Sequence, residues 1–281
     1  MTDPLTMSTC CPPDSGELVP AVRCAGRWFC EIQSNTPLAH TVSDFIRRRF
    51  LHAYGAEPSL RIPRLLALTT AQGTLLAAVG VRNAEQERLF LEDYLPVPVQ
   101  SLMPEPATER SRIAEIAHLA GVEAGVSRYL FASLSVWLDA AGYDWVVCTG
   151  TDQLRNSFHR LGIATRVLAD ADPSKLPDGG AGWGRYYDHH PVVMTIRVAD
   201  GMSALREAGL LKLVQPVAAT DSGIELLPQL ALSWTQIRLP RFFSSGAAMA
   251  PSLPIPENRI AWQCSRKWSA TFSSTWSIDG P

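Results

Sequence analysis

The sequence predicts an α/β domain, in which a β-sheet is flanked by helices. Between residues 111 and 168, segments with the pattern of strands alternate with segments whose apolar residues recur at helical spacing. A β-hairpin pattern precedes this region, at residues 64–82. The chain has 281 residues, of which 46% are hydrophobic and 19% are charged, so it can bury a core of its own.

The first elements are a strand and a helix. Residues 28–32 have the character of a short strand. Apolar side chains then recur at helical spacing, at Val42, Phe45, Ile46 and Phe50. Thr36 or Thr41 is suited to cap the start of this helix, and Gly55 is suited to end it.

A hairpin and a further strand follow. The hairpin strands are residues 64–69 and 74–82, and the short turn between them includes Gly73, where a positive φ is needed. Residues 89–95 are apolar until Pro96 interrupts them. Residues 111–120 form the next predicted strand.

The clearest helix pattern in the chain comes next. One apolar face is formed by Leu130, Leu134, Trp137, Leu138 and Ala141. We expect Ser127 to cap this helix and Gly142 to end it. Residues 145–148 then predict a short buried strand.

The last predicted elements complete the sheet. We expect Asp152 to cap a second helix, which Gly162 ends, before residues 163–168 resume an extended conformation. Residues 192–198 predict a strand and residues 203–208 a short helix.

Composition narrows the classes of function. The net charge of −2 leaves no basic footprint of the kind that nucleic-acid binding needs, so no nucleic-acid partner is expected. No apolar run reaches the length of a membrane span, and residues 1–14 lack the features of a signal peptide. We therefore expect a cytoplasmic protein. Free thiols are expected there, at Cys10, Cys11, Cys24, Cys30, Cys148 and Cys264.

Residues 120–128 form a glycine-containing turn between a predicted strand and a predicted helix. The N–H groups and the dipole of a helix N-terminus favour anions, and Arg128 adds a guanidinium that can pair with a pyrophosphate. The turn matches neither the P-loop nor the dinucleotide-binding fingerprint. Gly121 and Gly125 are also compatible with a turn that only ends the strand.

Five segments in order resemble the thermostable hemolysin family: LFLEDYL at residues 89–95, AEIAHLA at 114–120, GVSRYLF at 125–131, TGTDQLRNSFHRLG at 149–162 and WGRYYDHHPV at 183–192. That family is similar to the GNAT superfamily, and within it to homoserine-lactone synthases and N-acyl amino acid synthases. The resemblance implies a GNAT-like fold with a mixed, twisted central sheet. The expected domain spans residues 36–210, between an N-terminal extension, 1–35, and a C-terminal extension, 211–281.

The resemblance also implies an acyltransferase. Its donor would be a thioester, either acyl-CoA or the acyl-phosphopantetheine of an acyl carrier protein, and its acceptor a small-molecule amine or an amino acid. The oligomeric state is left open. The implied donor-binding residues lie on the strand, on the turn and on the second helix, and are Ile116, Ala117, Leu119, Ala120, Gly121, Gly125, Ser127, Arg128 and Asn156.

Three residues are the catalytic candidates. Glu115 is the first candidate for the general base, with a buried carboxylate paired to arginine or backbone as the alternative. His118 points away from Glu115 in an ideal strand, and a β-bulge would remove that difference. Tyr187, or its neighbour Tyr186, is the candidate proton donor to the leaving thiolate. The pair of histidines at 189 and 190 matches no metal-binding spacing, so no metal is expected.

The sequence departs from the usual GNAT motifs at two places, so other functions stay open. The usual GNAT donor loop, Q/R-x-x-G-x-G/A, is absent in its strict form, and His118 stands where the strand motif commonly ends in asparagine or arginine. The alternatives are a membrane-active protein, as the family name suggests, and a non-catalytic module that binds acyl thioesters.

Overall fold

The computed structural model describes residues 18–60, 63–105, 108–122 and 124–217. Within these residues, nine strands form one sheet in the order β7-β8-β6-β5-β4-β3-β2-β1-β9. The strands are β1 Leu18–Cys24, β2 Arg27–Ile32, β3 Arg64–Thr70, β4 Leu75–Asn83, β5 Ile113–Gly121, β6 Trp145–Gly150, β7 Arg166–Asp170, β8 Val192–Arg197 and β9 Val214–Pro216. The pair β5–β6 is parallel and the other pairs are antiparallel, so the predicted mixed sheet is confirmed.

In the described part of the chain, four α-helices accompany the sheet: α1 Pro37–Tyr54, α2 Ser127–Ala140, α3 Asp152–Arg160 and α4 Val198–Glu207. Helix α1 packs on one face, where its buried side chains share a core with Trp183. Helices α2, α3 and α4 contribute Leu130, Phe158 and Leu205 to a second core on the other face. The predicted arrangement of helices around a central sheet is therefore confirmed.

The helix ends agree with the sequence prediction in α1 and differ from it in α2 and α3. The Thr36 hydroxyl accepts a hydrogen bond from the Ala39 N–H at 3.1 Å, and Gly55 ends α1 with a φ of 64°. The predicted caps Ser127 and Asp152 are wrong by one position, because each is already the first residue of its helix. A 3-10 turn at residues 124–126 leads directly into α2, so the residue before the helix has helical torsion angles.

The described sheet is wider than the domain expected from the sequence. Strands β1 and β2 lie within the predicted N-terminal extension, and β9 lies within the predicted C-terminal extension. Residues 1–17 and 218–281 lie outside the described residues, and so do the thiols expected at Cys10, Cys11 and Cys264. Three described cysteines, Cys24, Cys30 and Cys148, are free and buried. Within the described ranges, no helix combines the length and apolar character that crossing a bilayer requires.

The loop before β8 docks on the end of α1 through glycine. Gly184 has a φ of 52°, and a Cβ atom there would collide with the backbone carbonyl oxygens of Tyr54 and Gly55. Replacing Gly184 with alanine is therefore expected to lower the free energy of unfolding by about 3 kcal/mol, from left-handed strain plus overpacking. Urea unfolding of the purified variant measures this loss.

A matched control separates the two contributions. Gly179, in the same loop, also has a left-handed φ, 63°, but a Cβ atom there would meet nothing within 4 Å. Gly179→Ala is expected to cost only the strain, about 1–2 kcal/mol. Equal losses in the two variants would show that the carbonyl contacts of residue 184 do not matter.

Candidate active site

The two parallel strands of the sheet separate partway along their length. Strand β5 pairs with β6 from Ile113, opposite Trp145, to Ile116, opposite Cys148. No pairing follows among the described residues of these two strands, and the next residues of β5, at 117–119, are partly exposed. We call this separation, which begins after Ile116 and Cys148, the parting. It leaves backbone groups of β5 available for hydrogen bonds to a ligand, in the middle of an otherwise continuous sheet.

A β-bulge lies on β5 at the parting. Ala78 pairs with Ala120 and Gly80 pairs with Ala117, so one residue of β4 stands opposite two residues of β5. His118 is one of those two and has a φ of 53°. The bulge that the sequence analysis considered for this strand is therefore confirmed.

The bulge brings His118 to the same side of the sheet as Glu115. The imidazole of His118 lies 5.9 Å from the Phe50 ring and 6.0 Å from the Trp183 ring, nearly parallel to the latter. Both rings belong to the core on the α1 side, and Glu115 bonds to the segment that packs there. Simple alternation along β5 would have put these side chains on opposite faces.

Glu115 is 1% exposed, and its carboxylate has a full set of partners. Oε2 accepts from Arg82 Nη1 and from the Phe90 N–H, and Oε1 accepts from the Leu91 N–H, each at 2.9 Å. Burial raises the pKa of the Glu115 carboxyl, and Arg82 and the two N–H groups oppose that rise. The contacts are those of the second interpretation left open above, a buried carboxylate paired with arginine and backbone.

A second buried carboxylate, Glu92, was missed by the sequence analysis. It accepts hydrogen bonds from the Leu89 and Val99 N–H groups and pairs with Arg110 at 2.7 Å. Burial works against ionisation, but Arg110 and these N–H groups hold the pKa of Glu92 below its usual range. Glu92 and Glu115 thus fix the segment 89–95 to the sheet, which explains the carboxylate within that motif. The sequence did contain a signal for this role, because Glu92 is an acidic residue inside the apolar run 89–95.

His118 keeps an unused polar atom. Its Nδ1 is buried and has no hydrogen-bond partner among the described residues, although the side chain as a whole is partly exposed. Burial, together with the charge of Arg82, lowers the pKa of His118 to about 4. The imidazole is therefore neutral at neutral pH and has a nitrogen available to a ligand.

The two candidate tyrosines have different surroundings. The Tyr187 hydroxyl lies 2.7 Å from the Tyr94 hydroxyl, whereas the Tyr186 hydroxyl lies 3.4 Å from the carbonyl oxygen of Thr149, where β6 leaves β5. Burial raises the pKa of both Tyr186 and Tyr187, so both are protonated at neutral pH. Tyr186 is the one whose hydroxyl lies at the parting.

An apolar cavity lies on the face covered by α2, α3 and α4. It contains about 660 Å³ of empty space, part of which is open to solvent. Much of its wall is made by Ile116, Leu134, Leu138, Val146, Phe158 and Ile196. The lining also includes His118, Leu119 and Thr149, which belong to the parting strands, so the cavity reaches the parting.

The glycine turn leads from β5 to the start of α2. Arg128 is exposed there, and its Nε bonds to the Gly125 carbonyl oxygen at 3.2 Å. Its guanidinium lies 5.5 Å from the Tyr129 ring, and that of Arg27 lies 4.0 Å from the same ring. Arg27 was not a sequence candidate, because only folding brings the β1–β2 hairpin to the start of α2.

The remaining sequence candidates are spread around the parting. Ile116, Ala117, Leu119, Ala120 and Gly121 follow one another along β5, and Ser127 begins α2. Asn156 is exposed on α3. His189 and His190 are exposed, with His189 against the Tyr54 ring. In the part of the chain that the structure describes, no three His, Cys, Asp or Glu side chains gather as a metal-binding group.

The thermostable hemolysin family model matches residues 32–202, more than half of the chain. The chain belongs to this family. The resemblance inferred from the five sequence segments is therefore confirmed.

Solved structures with a similar fold include synthases. TofI in its apo form has 13% identity and a TM-score of 0.45, over 63% of this chain and 95% of that one. BjaI, a CoA-dependent acyl-homoserine lactone synthase solved with SAM and isopentyl-CoA, has 13% identity and a TM-score of 0.46, over 76% and 99%. FeeM, an N-acyl amino acid synthase from uncultured soil microbes, has 12% identity and a TM-score of 0.46, over 63% and 94%. No curated protein matches the sequence.

Proposed function

We propose that this protein is an N-acyltransferase, which moves an acyl group from a thioester donor to the amine of a small molecule or amino acid. The donor is an acyl-CoA or the acyl-phosphopantetheine of an acyl carrier protein. The observation that carries the proposal is the parting of β5 and β6 beside an apolar cavity. The unpaired backbone groups of β5 can form hydrogen bonds with the amide groups of a pantetheine arm, and the apolar walls of the cavity suit an alkyl chain.

The donor is proposed to lie across the parting. The pantetheine arm runs along residues 116–120 of β5, and the acyl chain enters the cavity between Leu134 and Ile196. The phosphates lie at the turn from Gly121 to Arg128, where the start of α2 favours anions. Arg27 contacts the same Tyr129 ring as Arg128 and adds a second positive charge.

His118 is proposed as the group that receives the acceptor's proton. The amine nitrogen forms a bond to the thioester carbon, its proton passes to Nδ1 of His118, and the carbon–sulfur bond breaks. The leaving thiolate then takes a proton, for which the Tyr186 hydroxyl at the parting and the neighbouring Tyr187 are the candidate donors. Glu115 holds the segment at Phe90 and Leu91 in place, since its oxygens are occupied by Arg82 and by that segment.

Donor binding and turnover test the proposal directly. The full chain is incubated with acyl-CoAs and acyl-carrier proteins of increasing chain length, and thermal shift reports binding. Intact mass spectrometry of added amines reports amide formation. Stabilisation together with amide formation supports the proposal. Stabilisation without amide from any amine would indicate a non-catalytic binding module, and absence of both, with leakage of liposomes, would indicate a membrane-active protein.

Arg128→Ala is expected to weaken donor binding about 10-fold or more, because a charge-assisted hydrogen bond to phosphate is worth about 1.5–3 kcal/mol. Donor affinity is measured by titrating each protein with the donor that stabilises the wild type most and recording the thermal shift at each concentration. Arg206, exposed on α4, provides the matched control, since Arg206→Ala removes the same charge elsewhere. Equal donor affinity in the Arg128 variant and the wild type would place the phosphates elsewhere.

A further inference from the structure

Thr149 has a hydroxyl group to which the described residues make no hydrogen bond. It is the β6 residue that follows Cys148, the last residue paired with β5. Its Oγ1 is buried, and the described residues offer it no hydrogen-bond partner, although the residue as a whole is partly exposed. A buried hydroxyl without a partner costs free energy, so such groups in folded proteins call for an explanation.

The partner-less atom of Thr149 has a counterpart across the parting. His118 Nδ1, on β5, is also buried without a partner among the described residues, and both residues border the same cavity. By alternation along β6, the Thr149 side chain lies on the face of Trp145 and Val147, which are in the core on the α1 side. His118 contacts Phe50 and Trp183 of that same core. Each parting strand therefore supplies one unused polar atom on the same side.

We propose that Thr149 and His118 together hold the primary amine of the acceptor, an inference that rests on the acyltransferase function proposed above. A neutral primary amine has two N–H groups and one lone pair. One N–H donates to Nδ1 of His118 and the other to Oγ1 of Thr149, which leaves the lone pair directed at the thioester carbon in the parting. Thr149 is thus an amine-positioning residue, while His118 receives the proton.

The surrounding side chains indicate the class of amine. Phe50, Trp183 and Tyr186 are buried in the core on this side, and their rings contact one another at centroid distances between 5.1 and 6.4 Å. The two buried carboxylates, Glu92 and Glu115, are fully occupied by arginines and backbone N–H groups. This side therefore suits an amine on an apolar or aromatic body, and its described residues offer no free buried carboxylate for a second positive charge.

In the acyl transfer that this arrangement supports, the two substrates, the protein and water supply all the atoms and electrons. The amine lone pair forms the C–N bond, the C–S bond electrons leave with sulfur, and the amine proton that donated to His118 stays on its Nδ1. The proton on sulfur comes from a tyrosine hydroxyl or water, and the protonated imidazole then passes its proton, directly or through water, to the tyrosinate or hydroxide left behind. No oxidant or reductant is needed.

The test uses Thr149→Val, which removes the hydroxyl and keeps the shape. With octanoyl-CoA or octanoyl carrier protein as donor and phenethylamine as acceptor, we expect the KM for phenethylamine to rise at least 10-fold. The thermal shift caused by the donor should not change. Thr149→Ser, which restores a hydroxyl, should return most of the lost affinity. Lysine, with its second charge, should be a poorer acceptor than phenethylamine for the wild type.

Thr69 provides the matched control. Its hydroxyl is also buried without a partner among the described residues, but it lies on β3, which is not at the parting. Thr69→Val should leave the KM for phenethylamine unchanged. An unchanged KM in Thr149→Val would overturn the inference while leaving the acyltransferase proposal intact. Failure of the wild type to acylate any amine, with no thermal shift from phenethylamine, would instead overturn both.

Discussion

Replacing Glu115 with leucine is expected to lower the free energy of unfolding by about 3–5 kcal/mol. Arg82, which is 5% exposed, would lose its buried partner, and the N–H groups of Phe90 and Leu91 would lose their acceptor. Urea unfolding measures the loss. Glu92→Leu is the matched comparison, because Glu92 has the same kind of environment with Arg110 and backbone N–H groups. Both variants should be destabilised by similar amounts.

The double variant Arg82→Met with Glu115→Leu separates folding from chemistry. Removing both charges is expected to recover part of the lost stability, since a buried pair replaced by apolar groups is often neutral overall. Turnover is then measured at a temperature where the variant is folded. Activity within about 10-fold of the wild type would support the positioning role proposed for Glu115. A folded variant that binds donor but has lost turnover more than 100-fold would make Glu115 the base.

Local signals in the sequence were sufficient for most of the fold. Helix α1 was predicted with a cap at Thr36 or Thr41 and an end at Gly55, and the structure has the cap at Thr36; both signals act within one turn of the helix. The β3–β4 hairpin was predicted from the short turn that includes Gly73, and this glycine has a φ of 80°. The shifted cap of α2 was missed because the preceding residues already turn, which side-chain preference does not show. In α3 the residue before the helix is the extended Thr151, a threonine that cap preference places close to the predicted Asp152.

The site depended on contacts that sequence patterns do not contain. Glu115 was the first candidate for the general base, but its partners Phe90 and Leu91 lie 25 and 24 residues away. Periodicity gives no information about such pairing, and it assigned His118 to the wrong face until the bulge was considered. Thr149, within a recognised motif, became a candidate only when the end of the β5–β6 pairing was known. Long-range pairing therefore decides which polar residues are structural and which remain free for a ligand.

His118→Gln is expected to lower kcat by about 10²–10⁴-fold with little change in donor binding, because glutamine cannot take the amine proton. The rate of amide formation at saturating donor measures this effect, and the thermal shift from the donor measures binding. His189→Gln is the control, since His189 is exposed and contacts Tyr54, which in turn packs on Phe50.

The ionisation of His118 provides an independent check on that role. Since burial lowers its pKa to about 4, an NMR titration of the wild type should show this imidazole neutral at pH 6, where an exposed histidine is largely protonated. A bound amine that donates to Nδ1 should move the resonances of His118 at constant pH. If kcat survives in His118→Gln and the amine leaves these resonances unchanged, the proton must go to water or to another residue. Nδ1 of His118 would then have no role in catalysis.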